Sequence, residues 1–168
     1  MDAKGRAGTA ETARKAVVIE RIYRATVEEL WSLWTTKEGF ESWWGPEGFR
    51  VEVHKLEARQ GGALFYDMIA DTPETVKAMK DMGHAPQHKT RGWFAQYAPP
   101  KRLVLTHVID FMPGVEPFET TMSVDLIPAG ERVRMVVTLE PMPYPEISKM
   151  QAMGFTSQLT KLDRRFAS

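Results

Sequence analysis

The chain has 168 residues, with 22 basic and 22 acidic side chains, and no cysteine. Without cysteine it has no disulfide scaffold, thiol nucleophile, iron–sulfur cluster or cysteine-ligated zinc, and its zero formal charge argues against a nucleic-acid binder, which needs a basic excess against phosphates. A domain of about 150 residues buries roughly 68–70% of its unfolded surface, so one unstapled core is the expectation.

Residues 1–15 (MDAKGRAGTAETARK) are small, polar and charged, and read as a mobile tail before a single domain over 16–168. They have no apolar segment of the secretory type, and no stretch of the chain approaches the roughly 20 apolar residues of a membrane span. A cytoplasmic chain is expected. Ala16–Tyr23 is β-branched and extended, a first strand. Thr26 with Glu29 three residues on forms a capping-box pattern, and Leu30, Leu33 and Trp34 recur at helical spacing, so a short helix is expected over about Val27–Trp34. A second, Lys37–Trp43, stops at Gly45-Pro46.

Strands dominate the middle. Phe49–Leu56 and Ala63–Ile69 flank Gly61-Gly62 as a hairpin. Asp71–Gln87 breaks the pattern, with a helical turn indicated at Glu74–Met82. Strands return at Thr90–Tyr97, Arg102–Asp110, Glu119–Ile127 and Arg132–Glu140, separated by Pro- and Gly-containing turns, which argues for an antiparallel meander. Finally, Phe155, Leu159, Leu162 and Phe166 fall on one stripe of a long helix over Glu146–Phe166, extended by Ile147 and Met150. A strand, two short helices, six strands and a long helix make the helix-grip order, an α+β fold with a curved antiparallel sheet of six to seven strands around the last helix.

The segments Arg21–Val53 (with Trp43-Trp44-Gly45-Pro46), Gly61-Gly62, GWFAQYAPPKRLVLT at Gly92–Thr106 and GFTSQLTKLDRRF at Gly154–Phe166 carry a further signal. Together they resemble the activator of 90-kDa heat-shock protein ATPase homologue family, of the START-like (SRPBCC) superfamily that includes the birch-pollen allergen fold. The resemblance spans about Val17–Phe166 and implies the helix-grip fold. It matches only the C-terminal type of domain of the eukaryotic co-chaperone, so chaperone stimulation does not follow directly.

Period-2 alternation assigns the inner wall of such a sheet. Leu64, Tyr66 and Met68 form one row; Leu103, Leu105, His107 and Ile109 another; Met122, Val124 and Leu126 a third; Val133, Met135 and Val137 a fourth. Trp93 or Phe94 adds to it, with a bulge before Pro99 obscuring which. The candidate cavity lining is thus Tyr66, Met68, Trp93, His107, Met122, Met135, Met150 and Phe155. His107 is the one ionisable group among inward aliphatics. Its commoner role is a satisfied core histidine; the sharper one is a ligand contact or an acid–base group. Tyr66 divides the same way. Methionines suit an adaptable pocket as well as ordinary packing, and Met79 with Met82 would suit a lid. Trp43 and Trp44 read as braces of the helix-to-strand junction.

His84 and His88 are four apart, but Pro86 lies between them and no third ligand is near, so no metal is expected. No phosphate loop or nucleophile motif is present, and neither cofactor nor catalytic residue is assigned. The leading expectation is a non-catalytic domain that binds a small apolar or aromatic molecule between sheet and helix, in a stress response. The alternatives are a co-chaperone-like module, whose partner is a chaperone or a second copy, and a polyketide cyclase- or aromatase-like enzyme.

Overall fold

The computed structural model describes residues 15–167, except 111 and 113; the expected tail therefore lies, but for Lys15, outside the described residues. β1 (Val17–Tyr23) leads into α1 (Val27–Thr35), whose first turn is capped by Thr26 Oγ1 accepting from the Glu29 amide at 3.0 Å. Of the expected capping box only this half forms. A second cap follows at once: Thr36 Oγ1 accepts from the Gly39 amide and starts α2 (Lys37–Glu41).

β2 (Phe49–Leu56), β3 (Ala63–Ala70), β4 (Gln87–Ala98), β5 (Arg102–Ile109), β6 (Phe118–Ala129) and β7 (Arg132–Leu139) form a continuous antiparallel meander. β1 then pairs with β7, so the sheet order is β1-β7-β6-β5-β4-β3-β2. The two short helices thus carry the chain from one edge of the curved sheet to the other. Between β3 and β4, Thr72 and Thr75 form a reciprocal capping box for α3 (Pro73–Asp81), a nine-residue helix where only a turn was indicated. Proline at its first position costs nothing, because that N–H has no helical partner anyway. None of its residues is buried.

The chain ends in α4 (Pro145–Arg165), whose buried face is Phe155, Gln158, Leu159 and Leu162. These apolar side chains join the inward residues of the strands in one core with Trp34, Phe40, Phe94, Leu103, Leu105 and Val124. The helix is fastened at both edges of the sheet. Tyr23 Oη donates to Asp163 Oδ1 at 2.7 Å on the β1 side. On the β2 side, Lys161 Nζ donates to the carbonyls of Gly45 (2.7 Å) and Phe49 (3.0 Å). The result is the expected α+β helix-grip architecture, a seven-stranded curved sheet wrapped on its last helix. No helix of the described residues is long and apolar enough to cross a membrane.

Candidate functional site

Inward positions along the strands are not equally filled. On β5, Leu103 and Leu105 have no exposure and His107 5%, while Ile109 is only half-buried. On β3 the sequence Leu64, Tyr66, Met68 runs the same way, from fully to partly buried. Sheet and helix therefore part toward the N-terminal half of α4, and a hollow of about 330 Å³ opens there. Its wall is mostly apolar: Trp44, Phe49, Ile109, Ile147 and Phe155, with Met68, Met79, Met112, Met122, Met142 and Met150. Six of the chain's ten methionines thus border one cavity, Met150 at its rim with 57% exposure. Among the described residues, no Asp, Glu, Lys or Arg lines it. A second hollow, about 440 Å³, lies between the β1–α1 turn and the β6–β7 turn, but its rim carries the charged Arg24, Glu29, Glu131 and Arg132.

Buried polar groups cluster at the cavity wall. Trp44 Nε1 donates to Tyr66 Oη at 3.0 Å, and Tyr66 Oη lies 3.1 Å from His107 Nε2. Burial pushes the His107 pKa down to about 4 and pushes that of Tyr66 up, so both groups are neutral at neutral pH. Since the phenol oxygen already accepts from the indole, its own proton is free to pass to His107 Nε2, which suits the tautomer protonated at Nδ1. The indole and imidazole rings lie nearly parallel, 15° apart, with centroids at 6.1 Å.

Tyr66 and His107 stand on β3 and β5 with β4 between them. The β4 residue opposite His107 is Gly92, at an inward position of the period His88, Thr90, Gly92, Phe94. A Cβ at Gly92 would lie 2.4 Å from the Thr106 carbonyl oxygen. Glycine thus allows the close strand approach and leaves the path between phenol and imidazole clear.

Three further polar residues of the wall are almost completely buried: Thr90, Thr120 and Gln158, at 5%, 6% and 4% exposure. Thr120 Oγ1 and Gln158 Nε2 have no hydrogen-bond partner among the described residues. Thr90 Oγ1 has no partner of hydrogen-bond geometry among them either, although it is near enough to Tyr66 to pull the phenol pKa down against the effect of burial. The amide of Gln158 has a defined orientation, because its Oε1 accepts the Gly45 N–H at 2.9 Å. Gly45 has a positive φ of 100°, a conformation that glycine adopts without the Cβ penalty. His88 also lines the cavity, and burial, with His84 nearby, lowers its pKa.

Of the residues expected to line the cavity, the structure brings together Tyr66, Met68, His107, Met122, Met150 and Phe155. Two are elsewhere. Trp93 is on the outer face, because the β4 period turns Thr90, Gly92 and Phe94 inward; the bulge falls after it, between Phe94 and Gln96. Met135 does face inward, opposite Leu126, but at the filled end, where it is 1% exposed. Met79 lines the cavity from α3, whereas Met82 is 58% exposed and away from it. Trp43 is a brace, its Nε1 donating to the Leu33 carbonyl at 2.8 Å, but Trp44 belongs to the cavity wall. Thr90, Thr120 and Gln158 were missed. Thr120 shares the inward period of Met122, and Gln158 falls three residues after Phe155 within the apolar stripe.

The fold has solved relatives. A protein from Chromobacterium violaceum superposes with a TM-score of 0.71 at 18% identity, covering 92% of this chain and 99% of the other. An AHSA1 protein from Silicibacter pomeroyi gives 0.71 at 22% identity, covering 90% and 97%. The CalU16 protein from Micromonospora echinospora gives 0.60 at 17% identity, covering 90% and 76%. None of the curated proteins matches the chain in sequence. The family model for Activator of Hsp90 ATPase homolog 1-like protein matches residues 24–167, which takes in α1, the whole meander and α4, and the chain belongs to that family.

Proposed function

We propose that this chain binds a small, largely apolar molecule in the hollow between the sheet and the N-terminal half of α4. The observation that carries the reading is an apolar-walled space of about 330 Å³ between sheet and helix, with buried polar atoms in its wall left unpartnered among the described residues. Ligand sites have this make-up, a mostly apolar wall and a few placed polar groups. Thioethers add adaptability, since an unbranched Met side chain refits to ligands of different outline and favours aromatic rings. With no catalytic group assigned, the role proposed is binding.

Thermal unfolding with a panel of small aromatic and aliphatic compounds tests this. A ligand at about a hundred times its Kd stabilises by about 2.7 kcal/mol, which for a chain of this size raises Tm by about 5–10 °C. The blocking control is Gly154→Phe. Gly154 lines the cavity, and a Cβ there meets nothing closer than Pro46 Cγ at 3.7 Å, so the new ring enters the hollow without disturbing the backbone. The variant is expected to fold and to lose the ligand-induced shift. A panel that leaves Tm unchanged, or a shift that survives Gly154→Phe, counts against the reading. A second reading, an interaction module for a chaperone, rests on the family description; pull-down with the chaperone and its ATP turnover test it.

A further inference from the structure

The cavity wall says more about its ligand than that it is apolar. Gln158 Nε2 carries two N–H groups and can only donate. Its orientation is not open to reversal, because turning the amide would set an NH₂ against the Gly45 N–H that Oε1 now accepts. A 4% exposed donor with no partner among the described residues is an incomplete arrangement, since buried polar groups are almost always satisfied. The Thr120 hydroxyl is in the same condition, and the Thr90 hydroxyl, beside the Tyr66 phenol, has no partner of hydrogen-bond geometry among the described residues. All three residues line one cavity. Two of them flank the Tyr66–His107 pair on the sheet: Thr90 is opposite Tyr66, and Thr120 opposite His107.

Charge narrows the class further. Among the described residues no Asp, Glu, Lys or Arg lines the space, and its two histidines, His88 and His107, both have pKa values lowered by burial. An ionised carboxylate or ammonium entering here would lose its water with no counter-ion to replace it, a costly transfer. A carbonyl oxygen, in contrast, accepts from an amide N–H and a hydroxyl at once through its two lone pairs.

We infer that the ligand is an uncharged molecule with an apolar body among the methionines and a carbonyl-type acceptor head held by Gln158 Nε2, with the Thr90 and Thr120 hydroxyls beside it. This inference rests on the binding reading above and deepens it to a ligand class. The aliphatic and aromatic wall takes the body, and the donor end sets the direction in which it enters.

Three probes with one ring system test this: naphthalene, which has no head; acetylnaphthalene, with a ketone; and naphthoate, ionised at neutral pH. Dissociation constants come from NMR titration. One added hydrogen bond to a buried donor is expected to make the ketone bind about tenfold tighter than naphthalene, with naphthoate the weakest. Gln158→Glu keeps an oxygen for the Gly45 N–H but replaces the donor, and it is expected to bring the ketone-to-naphthalene ratio to about one. Thr120→Val, which keeps shape and removes the hydroxyl, reduces the ratio in part and guards against misfolding of the first variant. If naphthalene and the ketone bind equally, or naphthoate binds tightest, the head-group inference is overturned while cavity binding stands. If no probe binds, both are overturned.

Discussion

The two ends of the space between sheet and helix use the same strands and the same helix, yet they are built differently. At the end covered by α1, Phe94, Leu103, Leu105, Val124, Leu159 and Leu162 have no exposure, and Trp34 adds a large ring, so the volume is filled. Two residues further along β3 and β5, the wall turns to Tyr66, Met68, His107 and Ile109, and the volume is open. Branched aliphatics with few rotamers interlock at the closed end, whereas flexible thioethers and buried polar groups line the open one. On the proposed reading, stability and recognition are allotted to opposite ends of one core.

Substitutions at the two ends put this division under strain. Leu159→Ala removes a side chain of zero exposure from the filled end and leaves a closed void, with an expected loss of about 3–5 kcal/mol in urea unfolding. Met122→Ala, at the edge of space already empty, gives up fewer contacts and is expected to cost about 1–2 kcal/mol. Equal losses would mean that the cavity is not a genuine void.

The next effect is on pH dependence. His107 titrates at about 4 in the fold against 6.5 for an ordinary histidine, so between those values the unfolded chain binds more protons than the folded one. Stability therefore falls as pH drops from about 6.5 to about 4, by up to about 3 kcal/mol from this group, and is unaffected by it above that window. His88 adds to the slope in the same sense, so the readout is the difference between wild type and His107→Gln, whose slope should be shallower. Equal slopes would place His107 in water rather than in the wall.

Tyr66→Phe comes next. It leaves the buried Trp44 N–H and His107 Nε2 without their shared oxygen, at an expected cost of about 1–3 kcal/mol by denaturant titration. The smallest effect has the opposite sign. Gly154→Ala adds a methyl where nothing lies closer than 3.7 Å, and it is expected to stabilise α4 by about 0.5–1 kcal/mol.

The filled end was much easier to read from sequence than the open one. Alternation identified the inward rows of β3, β5, β6 and β7, because a period of two is a local property of the strand. It tells which face a residue is on, not how far along the strand the sheet leaves the helix. Met135 shows this, being inward as expected but beside Leu126 in the filled half. Thr90, Thr120 and Gln158 escaped because a polar letter in an apolar period looks like an interruption, and only the fold reveals that its atom has no hydrogen-bond partner among the described residues. α3 was half-read for a related reason. With no buried residue it has no apolar stripe to announce it, and its stability lies in the Thr72–Thr75 box and the bond from Thr75 Oγ1 to the Gly48 carbonyl.

Methionine methyl NMR offers the most direct test, because the chain carries its reporters in the right places. On adding acetylnaphthalene, the methyl signals of Met68, Met79, Met112, Met122, Met142 and Met150 should move together. Those of Met82, Met135 and Met153, which lie on the surface or in the filled end, should stay in place. Signals that all stay fixed, or move at Met135 and Met153 instead, would contradict a ligand-sized hollow at this end of the core.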